Sequence, residues 1–182
     1  RGAWQAALDA HDNLRAGVHW QGLDKPLQAV HKRVELPLEV LDWRGREDMD
    51  AALDELAAAE RSRSFDLERP PLLRLVLVRS TEDSHQLVYT HHHILLDGWS
   101  NAQLFAEALR RYNGESIAEQ GRYRDYIHWL QAQDPQQAQD FWGARLQGFA
   151  QPTVLPTAWR ARPKAAATAW NTAATTRRPP NA

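Results

Sequence analysis

The chain has 182 residues, of which 43% are hydrophobic and 25% charged, and its formal net charge is −1. This composition predicts a globular protein and excludes fibrous, collagen-like and wholly disordered classes. Cysteine is absent, which excludes a disulfide framework, a zinc–thiolate cluster and a cysteine nucleophile. The small net charge gives no electrostatic reason to expect a nucleic-acid or membrane partner.

Neither a membrane-spanning segment nor a secretory signal is expected. No stretch approaches the roughly 20 apolar residues that a membrane-spanning helix needs, and residues 1–5 lack the basic-then-apolar pattern of a signal peptide. We therefore expect a soluble, cytoplasmic protein. The first residue is Arg1 rather than Met, so we expect the natural start to lie upstream.

The first third of the chain predicts two helices separated by short strands. An apolar stripe at helical spacing opens the chain with Ala3, Trp4, Ala7 and Leu8. Stretches rich in β-branched and aromatic residues then predict strands over residues 14–20, 27–34 and 36–43. Residues 47–63 are rich in Ala, Leu and Glu and predict a second helix, with arginines suited to its last turn.

The middle of the chain predicts a hairpin of buried strands followed by helices. Residues 72–79 and 86–93 are nearly continuous apolar runs joined by a polar turn, which is typical of strands buried on both faces. Residues 101–112 have helical spacing, with Ser100 as the predicted N-cap. Further helices are predicted over 123–133 and 135–147, the latter with Pro135 at its first position.

The last 26 residues follow a different composition. Residues 157–182 carry five basic and no acidic residues, a charge of +5, which leaves −6 on residues 1–156. They contain no Leu, Ile, Val, Met or Phe, so they offer little apolar surface to offset chain entropy. We therefore expect a partial domain over residues 1–156 and a disordered or aberrant tail over residues 157–182. A flexible linker or a shifted reading frame would explain the composition of this tail.

The stretch with the most chemical information is the end of the second apolar run. There a predicted strand leads into His91, His92 and His93, and Asp97 and Gly98 follow. Burial lowers the pKa of a histidine and keeps a neutral imidazole available as a general base. Strand alternation predicts that His91 and His93 share one face and that His92 lies on the other.

Other interpretations of these histidines compete with catalysis. An expression tag is excluded because the run is internal and flanked by strand and helix patterns. A metal site could use His91, His93 and Asp97, but such sites need a third or fourth ligand fixed in space, so we expect no metal. Taken alone, the residues leave open both catalysis and a structural histidine held by a core hydrogen bond.

Three sequence motifs resemble those of one enzyme family. Residues 92–100, HHILLDGWS, resemble the HHxxxDGWS signature of condensation domains of nonribosomal peptide synthetases. Residues 123–129, YRDYIHW, resemble the later YxDYxxW motif, and residues 11–15, HDNLR, resemble the earlier RHExLR motif. The order of the motifs agrees with the family. The resemblance spans about residues 2–155 and covers the N-terminal half of the domain only.

The resemblance implies a fold and a set of site residues. The implied fold is an α/β sandwich like that of chloramphenicol acetyltransferase, here its N-terminal subdomain only, in which two halves form a tunnel that admits phosphopantetheine arms from opposite sides. The implied catalytic residue is His93, acting as general base or holding the amine near the carbonyl. The implied supporting residues are His92, Asp97, Gly98, Trp99 and Ser100.

The same resemblance leads to expectations about neighbouring side chains. We expect a buried structural ion pair between Arg15 and Asp97. We expect Gly98 to be a turn glycine, and Trp99 and Ser100 to pack and cap the following helix. The remaining motif residues are interpreted as scaffold on one helical face: Tyr123, Asp125 and Trp129.

The implied activity is amide bond formation between a carrier-bound acyl or peptidyl thioester and a carrier-bound aminoacyl thioester. No cofactor is expected to bind the domain directly, because the substrates arrive on phosphopantetheine arms. The implied partners are upstream and downstream peptidyl carrier domains, the adjoining adenylation domain and the missing C-terminal half. Two alternatives remain open: a non-catalytic remnant or carrier-binding module, and a related ester-forming or epimerising domain.

Overall fold

The computed structural model describes residues 1–118 and 121–151, and the backbone of residues 172–174. Two compact units divide the chain: residues 1–120 with 169–182, and residues 121–168. The helices are α1 (Gly2–Ala10), α2 (Met49–Ser62), α3 (Gly98–Tyr112), α4 (Tyr123–Gln131) and α5 (Pro135–Arg145). The strands are β1 (Ala16–His19), β2 (Leu27–Val30), β3 (Leu38–Asp42), β4 (Leu73–Arg79), β5 (His85–His91) and β6 (Thr172–Ala174). Within the described ranges, no helix is long and apolar enough to cross a membrane.

The first unit is built on a mixed sheet in the order β3-β4-β5-β6. β3 runs parallel to β4, and β4 and β5 form an antiparallel hairpin. Parallel neighbours need a crossover connection, and the segment containing α2 provides it. Leu75 pairs with Leu38 on one side and with Tyr89 on the other, so β4 is an internal strand. This position explains its nearly continuous apolar sequence.

Each face of this sheet has its own hydrophobic core. Leu73 and Leu75 belong to a cluster that also contains buried residues of α1 and α3. Val76 and Val78 pack with apolar residues of α2. Neighbouring side chains of a strand point to opposite faces, so β4 contributes to both clusters. The prediction that β4 is buried on both faces is confirmed.

A buried ion pair joins α2 to β4. The Arg74 guanidinium donates a hydrogen bond from Nε to the Glu60 carboxylate, and both side chains are less than a tenth exposed. Its Nη2 donates to the backbone oxygens of Glu60 at 2.6 Å and Arg63 at 2.5 Å. Arg74 also lies over the Phe65 ring, 4.1 Å from its centroid. These contacts satisfy a charge that would otherwise be costly to bury.

The strands predicted near the N-terminus are shorter than expected. Residues 12–15 form a 3-10 turn, so the first predicted strand begins only at Ala16, and β2 ends at Val30 rather than at residue 34. β1 and β2 form a separate antiparallel ribbon. A Cβ on Gly17 would lie 2.6 Å from the Glu68 carbonyl oxygen, so only glycine fits there. The neighbouring Val18 N–H donates to the Leu67 oxygen at 2.7 Å.

The described part of the second unit consists of α4 and α5. Both predicted helices are confirmed, and Pro135 occupies the first turn of α5 as predicted. Asp134 caps α5, because its Oδ1 accepts a hydrogen bond from the Gln136 N–H at 2.9 Å. None of the described residues in 121–151 is buried.

The predicted tail lies mostly outside the described residues. Residues 157–171 and 175–182 belong to that undescribed part, so the expected boundary after residue 156 stays a prediction. The backbone of Thr172–Ala174 is described and forms β6, which pairs antiparallel with β5.

Candidate active site

The histidine run lies where β5 ends and the chain turns toward α3. β5 ends at His91, so the prediction of a strand through residue 93 is wrong by two residues. The His92 N–H still donates to the Leu72 oxygen at 2.9 Å, and the Leu95 N–H then donates back to the His92 oxygen at 3.0 Å. This turn carries His93 out of the sheet.

The side chain of His92 holds this turn. Its Nδ1 accepts a hydrogen bond from the Ile94 N–H at 3.1 Å, and its ring packs edge-on against Phe65 with 6.4 Å between centroids. Because Nδ1 accepts, the hydrogen of the neutral ring is assigned to Nε2. His92 is therefore placed to support the turn.

His93 and His91 are neighbours with different environments. Their ring centroids lie 6.4 Å apart, although His93 is outside the strand. His93 is exposed, whereas only 7% of His91 is exposed. Burial lowers the pKa of His91, and the adjacent His93 and His92 lower it further. The expectation of a buried, neutral imidazole therefore describes His91.

The loop after the histidines leads into α3, whose N-cap is not the predicted Ser100. Asp97 is the N-cap of α3, and its Oδ1 accepts a hydrogen bond from the Ser100 N–H at 2.8 Å. Ser100 is thus the donor within the first turn, and its prediction as the cap is wrong. Hydrogen bonds from the Ser100 backbone and side chain lower the pKa of Asp97.

The predicted ion pair between Arg15 and Asp97 is not formed in this structure. Arg15 donates from Nη2 to Asp12 at 2.7 Å and from Nη1 to the backbone oxygen of His31. The Asp97 carboxylate instead accepts the hydrogen bond from the Ser100 N–H that caps α3. Arg15 thus ties the turn before β1 to the end of β2, and a near sequence neighbour supplies its counter-charge.

Gly98 and Trp99 also differ from expectation. Gly98 is the first residue of α3 and does not have a positive φ, so no turn conformation requires glycine there. A Cβ at Gly98 would meet no atom of the described structure within 4 Å. Trp99 is 83% exposed and therefore does not pack against the helix that it was expected to stabilise. Both residues face open space near the histidine turn.

The early motif contributes a contact that sequence reasoning missed. His11 Nε2 lies 2.7 Å from Glu107 Oε2, and Arg111 donates to Glu107 Oε1 at 2.8 Å. Burial raises the pKa of Glu107, but the hydrogen bonds from His11 and Arg111 outweigh burial and lower it overall. This network fixes the end of α1 to α3. The only sequence signal was the spacing of Glu107 and Arg111 on one helical face.

The described residues contain no group of three or more His, Asp or Glu side chains placed to hold a metal ion. The metal alternative built on His91, His93 and Asp97 therefore has no site in this part of the chain. What the turn offers instead is an exposed imidazole, His93, between a buried neutral histidine and a capped helix.

Comparison with known proteins identifies the family. The family model described as "Condensation domain" matches residues 1–177. The chain belongs to the condensation-domain family. Condensation domains of nonribosomal peptide synthetases are acyltransferase-type enzymes in the full-length protein, and their substrates are bound to carrier proteins.

This condensation-domain chain matches only a small part of each of two much longer relatives. It is 38% identical over 161 residues to a linear gramicidin synthase of Brevibacillus parabrevis, covering 84% of this chain and 3% of the relative. It is 39% identical over 155 residues to bacitracin synthase 3 of Bacillus licheniformis, covering 82% of this chain and 2% of the relative. The chain thus spans a few hundredths of these proteins' lengths.

A solved structure agrees on the fold. The EpoB NRPS cyclization-docking bidomain from Sorangium cellulosum superposes with a TM-score of 0.71 at 30% identity. The match covers 85% of this chain and 32% of the solved chain. The expected chloramphenicol acetyltransferase-like α/β fold is confirmed, and the partial coverage fits a partial condensation domain.

Proposed function

We propose that this chain supplies the catalytic histidine, His93, of a domain that forms amide bonds between carrier-bound substrates. The observation that carries the proposal is the placement of His93: an exposed imidazole on a turn whose neighbours are held in place. In the reaction, the α-amine of the acceptor aminoacyl thioester attacks the donor thioester carbonyl. The new C–N bond replaces the C–S bond, and the donor phosphopantetheine leaves as a thiol.

His93 can serve this reaction in either of two roles. It can remove a proton from the attacking amine, or it can hold the amine by a hydrogen bond near the carbonyl. Both roles need a ring nitrogen that substrate can reach, and the exposure of His93 meets this need. His92, bonded to the Ile94 N–H, and Asp97, bonded to the Ser100 N–H, support the turn from either side.

We place the rest of the active site in a C-terminal half of the domain that lies outside residues 1–182. The relatives' lengths support a parent synthetase in which the C-terminal half of the domain completes the tunnel, and carrier and adenylation domains are its partners. We expect the 182-residue chain alone to form no product, because it cannot position two thioesters. We also place the parent synthetase in the cytoplasm, and cell fractionation tests that location.

The test is His93→Ala in a complete condensation domain that carries this chain, assayed with donor and acceptor carrier proteins. We expect the rate of amide formation to fall by more than about tenfold, within the usual range for general-base or positioning effects. His31→Ala is the matched control, because His31 is exposed on the ribbon after β2 and should leave the rate unchanged. Unchanged turnover in His93→Ala overturns the proposal.

The same assay separates the proposed function from its alternatives. A hydroxyl acceptor that reacts in place of an amine indicates an ester-forming domain, and inversion of the donor's α-carbon without transfer indicates an epimerising one. The intact mass of the native product addresses the remnant alternative. A product near 20.8 kDa in the source cell contradicts a working synthetase, and a very large polypeptide supports it.

A further inference from the structure

Four aromatic side chains form a continuous column from the core to the histidine turn. We call Trp4, Tyr89, His91 and His93 the aromatic column. Trp4 stacks on Tyr89 with 5.6 Å between centroids, Tyr89 and His91 are 5.0 Å apart, and His91 and His93 are 6.4 Å apart. His93, the residue proposed to be catalytic, lies at one end of the column, and His91 is its neighbour in the column.

His91 carries a buried polar atom without a partner. Its Nδ1 is enclosed and makes no hydrogen bond in the structure. Two further enclosed atoms of the same sheet-to-α3 layer also have no partner, Tyr89 Oη and Asn101 Oδ1. An unsatisfied buried polar group is unfavourable, so an enclosed nitrogen beside the histidine turn calls for an explanation.

The surroundings of His91 define its charge and its hydrogen position. Burial and the neighbouring His93 and His92 lower its pKa, so the ring is neutral near pH 7. The residue paired with it on β4 is Leu73, whereas the charged Arg74 lies on the opposite face of the sheet and bonds Glu60 of α2. A neutral imidazole has one N–H, and a hydrogen on Nδ1 would bury a donor with no acceptor. We therefore assign the hydrogen to Nε2, which is not among the enclosed atoms that lack a partner.

We propose that His91 is a positioning residue for His93: its Nε2–H donates a hydrogen bond, through one bridging water, to the His93 ring. The separation of 6.4 Å between ring centroids leaves room for such a bridge. A bond donated to an imidazole nitrogen stabilises the neutral ring and fixes its orientation, which keeps the other nitrogen for substrate. The inference rests on the proposed function, because it assigns His91 a role only through His93.

The test compares two substitutions at His91 in the complete condensation domain, with the pH profile of kcat/KM as the readout. His91→Met fills a similar volume without a donor, so kcat should fall by about tenfold with little change in KM. The acidic limb of the profile should move to higher pH, because the neutral form of the reacting ring loses its support. His91→Gln places an amide N–H near the position of Nε2 and should restore most of the rate and the original limb.

The outcomes separate this inference from the proposed function. If both His91 variants lower kcat equally and keep the wild-type acidic limb of the pH profile, His91 serves only in packing and the inference is overturned. If His93→Ala is inactive while the His91 variants behave as wild type, the function stands and the inference fails. Turnover in His93→Ala overturns the proposed function itself.

A second measurement does not depend on the stability of any variant. Nitrogen-15 NMR of the imidazole rings in the wild-type domain reports which nitrogen carries the hydrogen. Because burial lowers the pKa of His91, we expect its ring to be neutral and protonated on Nε2 at about pH 7. A charged ring, or a neutral ring protonated on Nδ1, at that pH contradicts the inference.

Discussion

The helices α3 and α4 present similar sequence patterns in different environments. In α3, Leu104 and Ala108 are 5% and 2% exposed, and Phe105 packs against the same core cluster. In α4, Tyr126 and Trp129 occupy a comparable stripe, yet they are 50% and 58% exposed. The sheet of the first unit supplies the partner for the stripe of α3. None of the described residues of 121–151 gives α4 an equivalent partner.

The aromatic residues of α4 stack on one another along the helix. Tyr123, Tyr126 and Trp129 form two successive ring contacts, each with 5.9 Å between centroids. Such intrahelical contacts cover only part of the rings. The prediction that Tyr123, Asp125 and Trp129 serve as scaffold stays a prediction, because in this chain all three are exposed. A large exposed apolar patch is typical of a surface that another segment covers.

The largest expected effect tests whether the first unit depends on its buried charge. Glu60→Ala should lower the free energy of unfolding by about 3–5 kcal/mol, because it leaves the Arg74 guanidinium buried without its carboxylate. Urea unfolding of the 182-residue chain measures the change. The matched control is Glu115→Ala, since Glu115 pairs with Arg110 at 2.8 Å but both side chains are about half exposed. That control should change stability by at most about 1 kcal/mol, and equal losses contradict the comparison.

The next prediction compares the loss of stability when a leucine is replaced by alanine in each of the two units. Leu75 of β4 is 1% exposed and Leu130 of α4 is 48% exposed. Leu75→Ala should lower the free energy of unfolding by about 2–5 kcal/mol, because it removes buried methyl groups and leaves a cavity. Leu130→Ala should stay within about 0.5 kcal/mol in this chain. A large loss for Leu130→Ala would show that α4 buries this side chain in solution.

The smallest effect concerns the N-termini of the same two helices. Asp97 caps α3 with its carboxylate, whereas Arg122 makes no side-chain cap bond to α4. Asp97→Asn should keep the cap and most of the stability at pH 7, because Asn caps as well as Asp, while Asp97→Ala should lower stability. Chemical unfolding at pH 7 checks this order, and equal losses in both variants would remove the capping role.

The charge of Asp97 adds a pH dependence to that comparison. Hydrogen bonds from Ser100 lower the pKa of Asp97 from its ordinary value of 3.8. The stabilisation by the charge is therefore present above that value and is lost as pH falls through the lowered pKa. The difference between wild type and Asp97→Asn should shrink as the pH is lowered from about 5, and a constant difference contradicts this account.

Much of the fold could be predicted from local patterns. The apolar run of β4 indicated a strand buried on both faces, and helical spacing indicated α2, α3, α4 and α5, all of which are confirmed. The limits of β5 and β2 could not be predicted, because apolar composition does not show where hydrogen-bonded pairing stops. The turn after β5 depends on the bond from the Ile94 N–H to His92 Nδ1, which no periodicity indicates.

Some features of the candidate site could likewise be predicted from the sequence, and others required the structure. Local patterns alone established that His91, His92 and His93 follow a buried strand, that a helix begins soon after Asp97, and that the motifs resemble condensation domains. Contacts in three dimensions were needed to show which histidine is buried, that Asp97 caps α3, and that Arg15 pairs with Asp12. The reason is physical: spacing along the chain defines faces of helices and strands, but burial and charge partners depend on residues brought together from distant positions.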